Sequence, residues 1–269
     1  MEQRNQNSGI SSNKRFRVPN APWVWDFLLI GILFIGAYFR FIGVSWDDVY
    51  HLHPDERFLT MVESSISPVQ NLKEYFDTST SSLNPNNRGF SFYVYGTFPL
   101  FLVRYVGEWF NQTGYGQIHI IGRLLSGVFD LGTIAFIYLI AKRLYRNPRL
   151  GLLASLLYSC SVLPIQLSHY FTVDITASFF SVATVYFAVC IFTPNQRVLD
   201  EEHDLKRNWH WIIEGWKSVW LYLAFAITFG IAMASKVSIA PLALLLPLAG
   251  FLHYKKLNDD QKEIGRAHV

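Results

Sequence analysis

The chain has 269 residues, of which 51% are hydrophobic and 16% are charged. Soluble domains carry roughly 25% charged residues, so this deficit argues against an ordinary soluble domain. The formal net charge is only +3, and no basic stripe with interleaved aromatic residues occurs, which excludes nucleic acid as a partner. Cys160 and Cys190 each lie in an apolar run, and we expect buried thiols rather than a disulfide or metal ligands.

Long apolar stretches with polar connectors between them dominate the chain from residue 23 onwards. Stretches of about 20 apolar residues match the hydrocarbon thickness of a bilayer when they are helical. The sequence therefore predicts an all-α fold, a polytopic transmembrane helix bundle with spans at residues 23–44, 117–141, 150–165, 175–192, 217–235 and 239–253. Residues 1–22 are polar and basic and are predicted to be a disordered cytoplasmic tail. The first span lacks a cleavage site and would remain as an anchor.

The stretch 91–110 is apolar but carries Arg104 and Glu108. The positive-inside rule places the basic tail, the four basic residues within 142–149 and the lysine pair 255–256 in the cytoplasm. All three placements hold only if 91–110 does not cross the membrane completely. We therefore predict a juxtamembrane or re-entrant helix on the outer side, where charged backbone segments are tolerated against a protein-walled cavity.

This topology puts ionisable residues from four separate segments on one outer face. In the first segment Pro54 precedes the adjacent acids Asp55 and Glu56, and a carboxylate there could accept a proton or bind a ligand. The alternative is that Pro54 starts a helix whose positive N-terminus favours the two acids. His51 and His53 lie nearby, but no second cluster has metal-ligand spacing, so we predict no cofactor and leave a divalent metal as an unsupported alternative.

Arg123, Asp174 and Lys236 are the ionisable residues of the other three segments. Arg123 lies near the outer end of a span with Asp130 deeper in it, and charges inside spans indicate function by default. Arg123 would hold a lipid phosphate or pair with a neighbouring helix. Asp174 follows a polar hinge, where it or Thr172 could instead cap a helix, and Lys236 could instead snorkel to the interface. Together the four segments predict an outer cavity with both signs of charge.

Five short motifs follow one another along the chain: Pro54-Asp55-Glu56, Tyr95-Gly-Thr-Phe-Pro-Leu100, Gly122-Arg-Leu-Leu-Ser126, the segment from Ser161 to Asp174 and the segment from Gly230 to Lys236. In this order they resemble the N-terminal half of a GT-C-type glycosyltransferase, in the protein O-mannosyltransferase and aminoarabinose transferase-like group. The second motif lacks the histidine and paired prolines that are usual in that group. The resemblance covers residues 23 to 253.

The resemblance implies a membrane enzyme that transfers a sugar, with inversion, from a polyprenyl-phosphate donor to a glycan, lipid or protein acceptor outside the cytoplasm. It implies two catalytic carboxylates, with Asp55 as general base or acceptor ligand and Glu56 in support. It also implies substrate-binding residues, namely His53, Arg123, Asp174 and Lys236. A bacterial or archaeal plasma membrane, with the N-terminus in the cytoplasm, is the expected location.

Two other function classes stay open at this point. A secondary transporter would use Arg123, Asp130 and Asp174 as a proton or solute relay, although no convincing internal repeat occurs and the polar residues lie at one rim. A non-catalytic membrane scaffold is the third reading. We expect residues 23–262 to be the N-terminal part of a GT-C-like domain. Residues 263–269 resemble a translated sequencing adapter and are expected to be non-native, with the protein continuing past Lys262.

Overall fold

A computed structural model describes residues 22–193, 210–252 and 254–255 of the chain, and within these ranges the regular structure is helical, with no strand. The predicted tails, 1–22 apart from Pro22 and 263–269, lie outside the described residues. The α-helices are α1 Pro22–Phe41, α2 Pro54–Ser65, α3 Leu72–Phe76, α4 Thr97–Trp109, α5 Ile118–Tyr145, α6 Pro148–Ser159, α7 Val162–Ser168, α8 Val173–Phe192 and α9 His210–Ser235. Two 3₁₀ helices cover Pro85–Arg88 and Val237–Leu244.

Helices α1, α5 and α8 are long and apolar enough to cross a bilayer. Helices α6 and α7 meet the same criterion only as a pair, and they are bent by 58° where they join. The last two predicted spans correspond to shorter apolar helices, Val219–Ser235 and Val237–Leu252. The all-α membrane helix bundle is confirmed, and the chain is an integral membrane protein, while the number of six crossings stays a prediction.

Contacts between helix ends give the directions of the helices. Arg143 at the end of α5 donates to the Thr193 hydroxyl just after α8, at 2.7 Å, so α5 and α8 run parallel. Lys236 after α9 pairs with Asp174 at the start of α8, so α9 runs antiparallel to α8. The start of α5, the start of α8 and the end of α9 therefore lie at one end of the bundle, together with the end of α1. We call this end, which carries Asp47, Arg123, Asp174 and Lys236, the polar end.

A buried ion pair ties α1, α5 and α6 together within the bundle. Arg40 Nε donates to Asp130 at 2.6 Å, and the Tyr158 hydroxyl donates to the other Asp130 oxygen at 2.6 Å. Arg40 also donates to the Ser159 carbonyl at 3.0 Å. Charges inside a bilayer are stable only when they are paired in this way. Asp130 thus has a partner on a different helix, separate from the partners of Arg123.

The two thiols are free, as predicted, but they differ in exposure. Cys190 is buried within α8, whereas Cys160 is exposed at the C-terminal end of α6. The predicted burial of Cys160 is wrong because this residue lies where α6 and α7 bend apart, so that its side chain is not covered by a neighbouring helix.

Helix α4 is shorter than a membrane span. Its 13 residues span roughly 20 Å at 1.5 Å per residue, against a hydrocarbon thickness of about 30 Å. Its N-terminal end lies at the polar end, where the Gly96 amide donates a hydrogen bond to the Ser235 carbonyl at the end of α9, at 3.1 Å. Its C-terminal end returns through a short loop to the start of α5, which is also at the polar end. Both ends of α4 therefore lie at the polar end of the bundle, and its place outside the membrane core stays a prediction.

Cysteine labelling tests this topology. In a chain with Cys160 and Cys190 replaced by serine, Ser91→Cys before α4 and Gln117→Cys after it should react from the same side of sealed vesicles with a membrane-impermeant maleimide. Leu144→Cys, at the opposite end of α5, should react only from the other side. Labelling of Ser91→Cys and Gln117→Cys from opposite sides would show that α4 crosses the membrane.

Candidate active site

The Arg123 guanidinium lies in the second turn of α5 and is fully buried, with 0% of its side chain exposed. Arginine carries five N–H donors, and here all five have acceptors. Nε and Nη2 donate to the two Glu56 oxygens at 2.7 and 2.6 Å, and Nη1 and Nη2 donate to the two Asp47 oxygens at 3.0 and 2.8 Å. Nη1 also donates to the Val44 carbonyl at 2.7 Å. We call Arg123, Asp47 and Glu56 the buried triad.

The buried triad has two carboxylates and one guanidinium and therefore carries one excess negative charge. Two features stabilise this excess charge. The Phe171 amide donates to Glu56 at 2.8 Å, and Glu56 lies in the first turn of α2, at the positive end of that helix. Burial acts to raise the pKa of Asp47, but the hydrogen bonds and charge of Arg123 outweigh it and hold that pKa below its usual value. Asp47 is therefore ionised at neutral pH.

Local sequence explains why these side chains meet. Pro54 occupies the first turn of α2, and the His53 ring nitrogen Nδ1 caps the helix by accepting from the Asp55 amide at 3.2 Å. This confirms the predicted helix start at Pro54. A β-carbon on Gly122 would overlap the ring of Phe171, so the glycine before Arg123 allows the Phe171 amide to approach Glu56.

The turn that supplies Asp47 has unusual backbone geometry. Asp48, Val49 and His51 all have positive φ, at 44°, 66° and 49°. A β-branched residue is disfavoured in this left-handed region. The turn is therefore held by contacts from outside it, and the bidentate pairing of Asp47 with Arg123 is the main one.

Asp55 is more exposed than its neighbour Glu56. It is only half-buried, and successive side chains on a helix point about 100° apart. Burial, Asp55 and Asp174 together raise the pKa of Tyr95 to about 12. Asp55 is thus the more exposed carboxylate of the predicted catalytic pair.

Asp174 and Lys236 form an ion pair at the polar end. Their side chains are 37% and 46% exposed, so this pair is open to solvent, unlike the buried triad. Asp174 lies in the first turn of α8, and Thr172 at the N-cap position makes no side-chain capping bond. The alternative role of Thr172 as a side-chain cap is therefore not observed.

A close backbone contact joins the segment before α4 to the end of α9. A β-carbon on Gly96 would overlap the Ala234 carbonyl oxygen and the Ser235 carbonyl group. The close approach therefore requires a glycine at position 96. The hydrogen bond from the Gly96 amide to the Ser235 carbonyl also restrains Tyr95 relative to Lys236, because Tyr95 precedes Gly96 and Lys236 follows Ser235. We call this contact the Gly96 latch.

Two of the predicted site residues are fully buried. Arg123 has no free donor and no exposed surface in this structure, and its predicted contact with a lipid phosphate stays a prediction. Glu56 is likewise fully buried. His53 caps α2 and packs against Tyr170, with ring centroids 4.7 Å apart, although its ring remains half-buried. Its predicted role in substrate binding stays a prediction.

Sequence reasoning did not identify Asp47 as the partner of Arg123 or Tyr95 as the neighbour of Asp55. The adjacent acids Asp47 and Asp48 after the first span could have indicated a partner for Arg123, because a buried arginine needs carboxylates nearby. Tyr95 entered the sequence analysis only as the first residue of the motif Tyr95-Gly-Thr-Phe-Pro-Leu100.

The described residues contain no group of three or more His, Cys, Asp or Glu side chains arranged for a metal ion. His51 and His53 have different surroundings. His51 is buried against His119, with ring centroids 4.3 Å apart, and burial lowers the pKa of His51, against the opposing charges of Glu56 and Asp47.

Residues 99–199 match the family model described as dolichyl-phosphate-mannose-protein mannosyltransferase. The matched range is less than half of the chain, and it includes Arg123 and Asp174 but neither Asp55 nor Lys236. No curated protein and no solved structure matches the chain. The family match supports the resemblance to GT-C glycosyltransferases, and with the apolar helices it indicates a membrane glycosyltransferase of this type.

Disruption of the buried triad is expected to unfold the polar end. Glu56→Gln leaves Asp47 to balance the buried guanidinium, but it turns an amide N–H group toward another donor and should lower stability by about 1–3 kcal/mol. Asp55→Asn, one residue away and half-buried, should change stability by less than about 0.5 kcal/mol. Thermal unfolding in detergent compares the two variants, and equal unfolding midpoints would contradict the division between them.

Gly96→Ala is expected to break the Gly96 latch, because the added methyl group must push the segment before α4 away from α9. Overpacking of this kind costs about 1–3 kcal/mol. Gly230→Ala on α9 is the matched control, since no atom lies within 4 Å of a β-carbon there. We expect a lower thermal unfolding midpoint for Gly96→Ala and an unchanged midpoint for Gly230→Ala. Unchanged midpoints for both variants would show that the two backbone segments do not pack as closely as described.

Proposed function

We propose that this GT-C-type membrane protein transfers a sugar, with inversion, from a polyprenyl-phosphate donor to an acceptor hydroxyl or amine at the polar end. One observation carries the proposal. A half-exposed carboxylate, Asp55, and a half-exposed ammonium group, Lys236, are held at the same end of the bundle, on either side of Tyr95 and the Gly96 latch. A base and a cation are the two groups that this reaction needs.

Asp55 is the proposed general base. In an inverting transfer, the acceptor oxygen or nitrogen attacks the anomeric carbon of the sugar from the face opposite the phosphate. The new bond to the acceptor forms as the bond between the anomeric carbon and the phosphate oxygen breaks. The acceptor proton passes to the Asp55 carboxylate, and the lipid phosphate leaves with the electron pair. A positioned base of this kind contributes about 10²–10⁴-fold to the rate.

Lys236 is the proposed contact for the leaving phosphate. Its present partner is Asp174, and both side chains are more than one third exposed. Exposed pairs are worth only about 0–1 kcal/mol, so a phosphate can replace Asp174 as the partner at small energetic cost. Asp174 would then be free to orient the acceptor. A cation aimed at developing negative charge stabilises the transition state.

We assign positioning roles to Arg123 and Glu56, in place of the phosphate contact and catalytic support predicted from sequence. All five donors of Arg123 are engaged. The triad fixes the first turn of α2 to α5, and Asp55 is the residue directly before Glu56. The buried carboxylate therefore determines where its exposed neighbour can lie.

The basic residues support an orientation with the site outside the cytoplasm. Lys142 and Arg143 lie in the last turn of α5, and Arg146 and Arg149 follow it, at the end of the bundle opposite to the polar end. Basic residues next to spans favour the cytoplasmic side. The polar end would then face the outside of a bacterial or archaeal plasma membrane. We keep the acceptor as a glycan, lipid or protein and infer no cofactor.

The transporter alternative has less support. A relay would need Arg123, Asp130 and Asp174 to exchange protons or solute with one another. Each has a different partner among the described residues: Arg123 has Asp47 and Glu56, Asp130 has Arg40, and Asp174 has Lys236. The first two pairs are fully buried, which separates them from the exposed third pair.

Transfer from a labelled donor tests the proposed function. Membranes that contain the protein are incubated with polyprenyl-phosphate-linked labelled mannose, chosen because of the family match, and label is measured in lipid, glycan and protein fractions. Asp55→Asn should lower transfer by about 10²–10⁴-fold without loss of folded protein.

Asp48→Asn is the matched control, because it removes an exposed acid from the same outer loop at a position whose positive φ asparagine tolerates. It should transfer as well as the unmodified chain. Full activity of Asp55→Asn would eliminate Asp55 as the base. Absence of transfer from mannose and from a panel of other polyprenyl-phosphate sugars would overturn the function itself.

A further inference from the structure

His169 links the ends of two helices at the polar end. It is the residue directly after α7, and its ring is half-buried. The ring nitrogen Nδ1 is 2.8 Å from the Ile165 carbonyl oxygen, and Nε2 is 2.9 Å from the Ile42 carbonyl oxygen just after α1. The backbone amide of His169 donates to the Gln166 carbonyl instead, at 3.1 Å. The ring therefore takes the place of that amide at the Ile165 carbonyl and joins α7 to α1.

The partners of this ring decide its protonation state. A carbonyl oxygen can only accept a hydrogen bond, and a neutral imidazole has a single N–H donor. In a neutral His169, one ring nitrogen would therefore hold its lone pair against a carbonyl oxygen at 2.8 or 2.9 Å. Both contacts are hydrogen bonds only when each ring nitrogen carries a proton, so that the ring is positively charged.

The surroundings of His169 suit a positive charge. Both carbonyls lie at C-terminal helix ends, where carbonyls without amide partners form the negative pole of a helix. The buried triad adds excess negative charge at the same end of the bundle. Among the described residues no ion pair includes His169, so the two carbonyls are its direct partners.

Other titratable groups lie on the elements around His169. Helix α7 packs against α1, α5 and α8, and the residue after His169 packs its ring against His53 beside α2. The titratable and charged side chains that these elements and α6 carry toward the polar end are Arg40, Asp47, His53, Asp55, Glu56, Arg123, Asp130, Tyr158, Tyr170 and Asp174.

The segment that begins at His169 reaches both charged clusters of the polar end. Two residues further on, the Phe171 amide donates to Glu56 of the buried triad at 2.8 Å. Asp174 follows in the first turn of α8 and pairs with Lys236. The position of His169 therefore restrains the path of the chain between the buried triad and the exposed ion pair.

We propose that His169 is a proton-dependent clamp, whose doubly protonated ring joins the ends of α1 and α7 and positions the segment between α7 and α8. The inference stands on the fold and does not need the proposed function. Loss of one proton removes the charge and one of the two hydrogen bonds. The stabilisation by the clamp is therefore complete at acidic pH, where the imidazole is charged, and falls as the pH rises and the proton is lost.

Thermal unfolding at two pH values tests the clamp. The full chain and His169→Gln are unfolded in detergent at about pH 5.5 and at about pH 9, on either side of the range in which imidazoles titrate. Glutamine keeps a side-chain N–H group but cannot carry a charge. The variant should lower the unfolding midpoint by roughly 3–10 °C at the acidic pH, as expected for hydrogen bonds to a charged group. At the alkaline pH the difference should be less than half as large.

Ser168→Ala is the matched control for this comparison. The Ser168 hydroxyl donates to the same Ile165 carbonyl at 2.7 Å, but it does not titrate in this range. Its loss should lower the midpoint by the same amount at both pH values. A difference between the full chain and His169→Gln that is independent of pH, or larger at the alkaline pH, would overturn the clamp.

Nuclear magnetic resonance of the unmodified chain decides the question if His169→Gln does not fold. With isotopically labelled histidine, the His169 ring is identified, among the eight histidines of the chain, as the one whose signals move most in Ser168→Ala. Both of its ring nitrogens should carry protons at about pH 7, where a free imidazole is mostly neutral. A ring with only one protonated nitrogen there would contradict the proposal.

Discussion

The charge of Arg123 is the constraint on which the polar end depends. A guanidinium in the second turn of a membrane-spanning helix is stable only if each of its donors is satisfied and its charge is balanced. The acceptors come from the turn after α1 and from α2, and the segment before α8 stabilises Glu56 in turn. The buried charge of Arg123 is therefore stable only when these segments all pack against the start of α5.

The buried triad also determines which carboxylate remains available for chemistry. Asp55 and Glu56 are adjacent in the first turn of α2, and successive side chains on a helix point about 100° apart. When Glu56 is held inward by Arg123, Asp55 is turned aside and stays half-exposed. A structural charge and the proposed reactive charge thus come from one dipeptide. The same separation recurs across the polar end, where the triad is buried and the Asp174–Lys236 pair is open to solvent.

The short helix α4 connects the buried triad region to the end of α9. Both of its ends lie at the polar end. The Gly96 latch then connects the aromatic segment before α4 to the last residues of α9. The exposed Trp109 and Phe110 at the other end of α4 are 86% and 63% accessible, as suits aromatic residues at a membrane interface. The two halves of the proposed site, Asp55 on α2 and Lys236 after α9, are linked through this helix.

The sequence by itself determined the membrane class, the all-α fold and the spans α1, α5 and α8. These depend on apolar length and on the distribution of basic residues, which are properties of short contiguous stretches. Only the tertiary structure decided that Arg123 pairs with Asp47 and Glu56 and that Asp130 pairs with Arg40. The Arg123 partners are 76 and 67 residues away, and the Asp130 partner is 90 residues away. Which charges meet depends on how helices pack, and no local pattern records that.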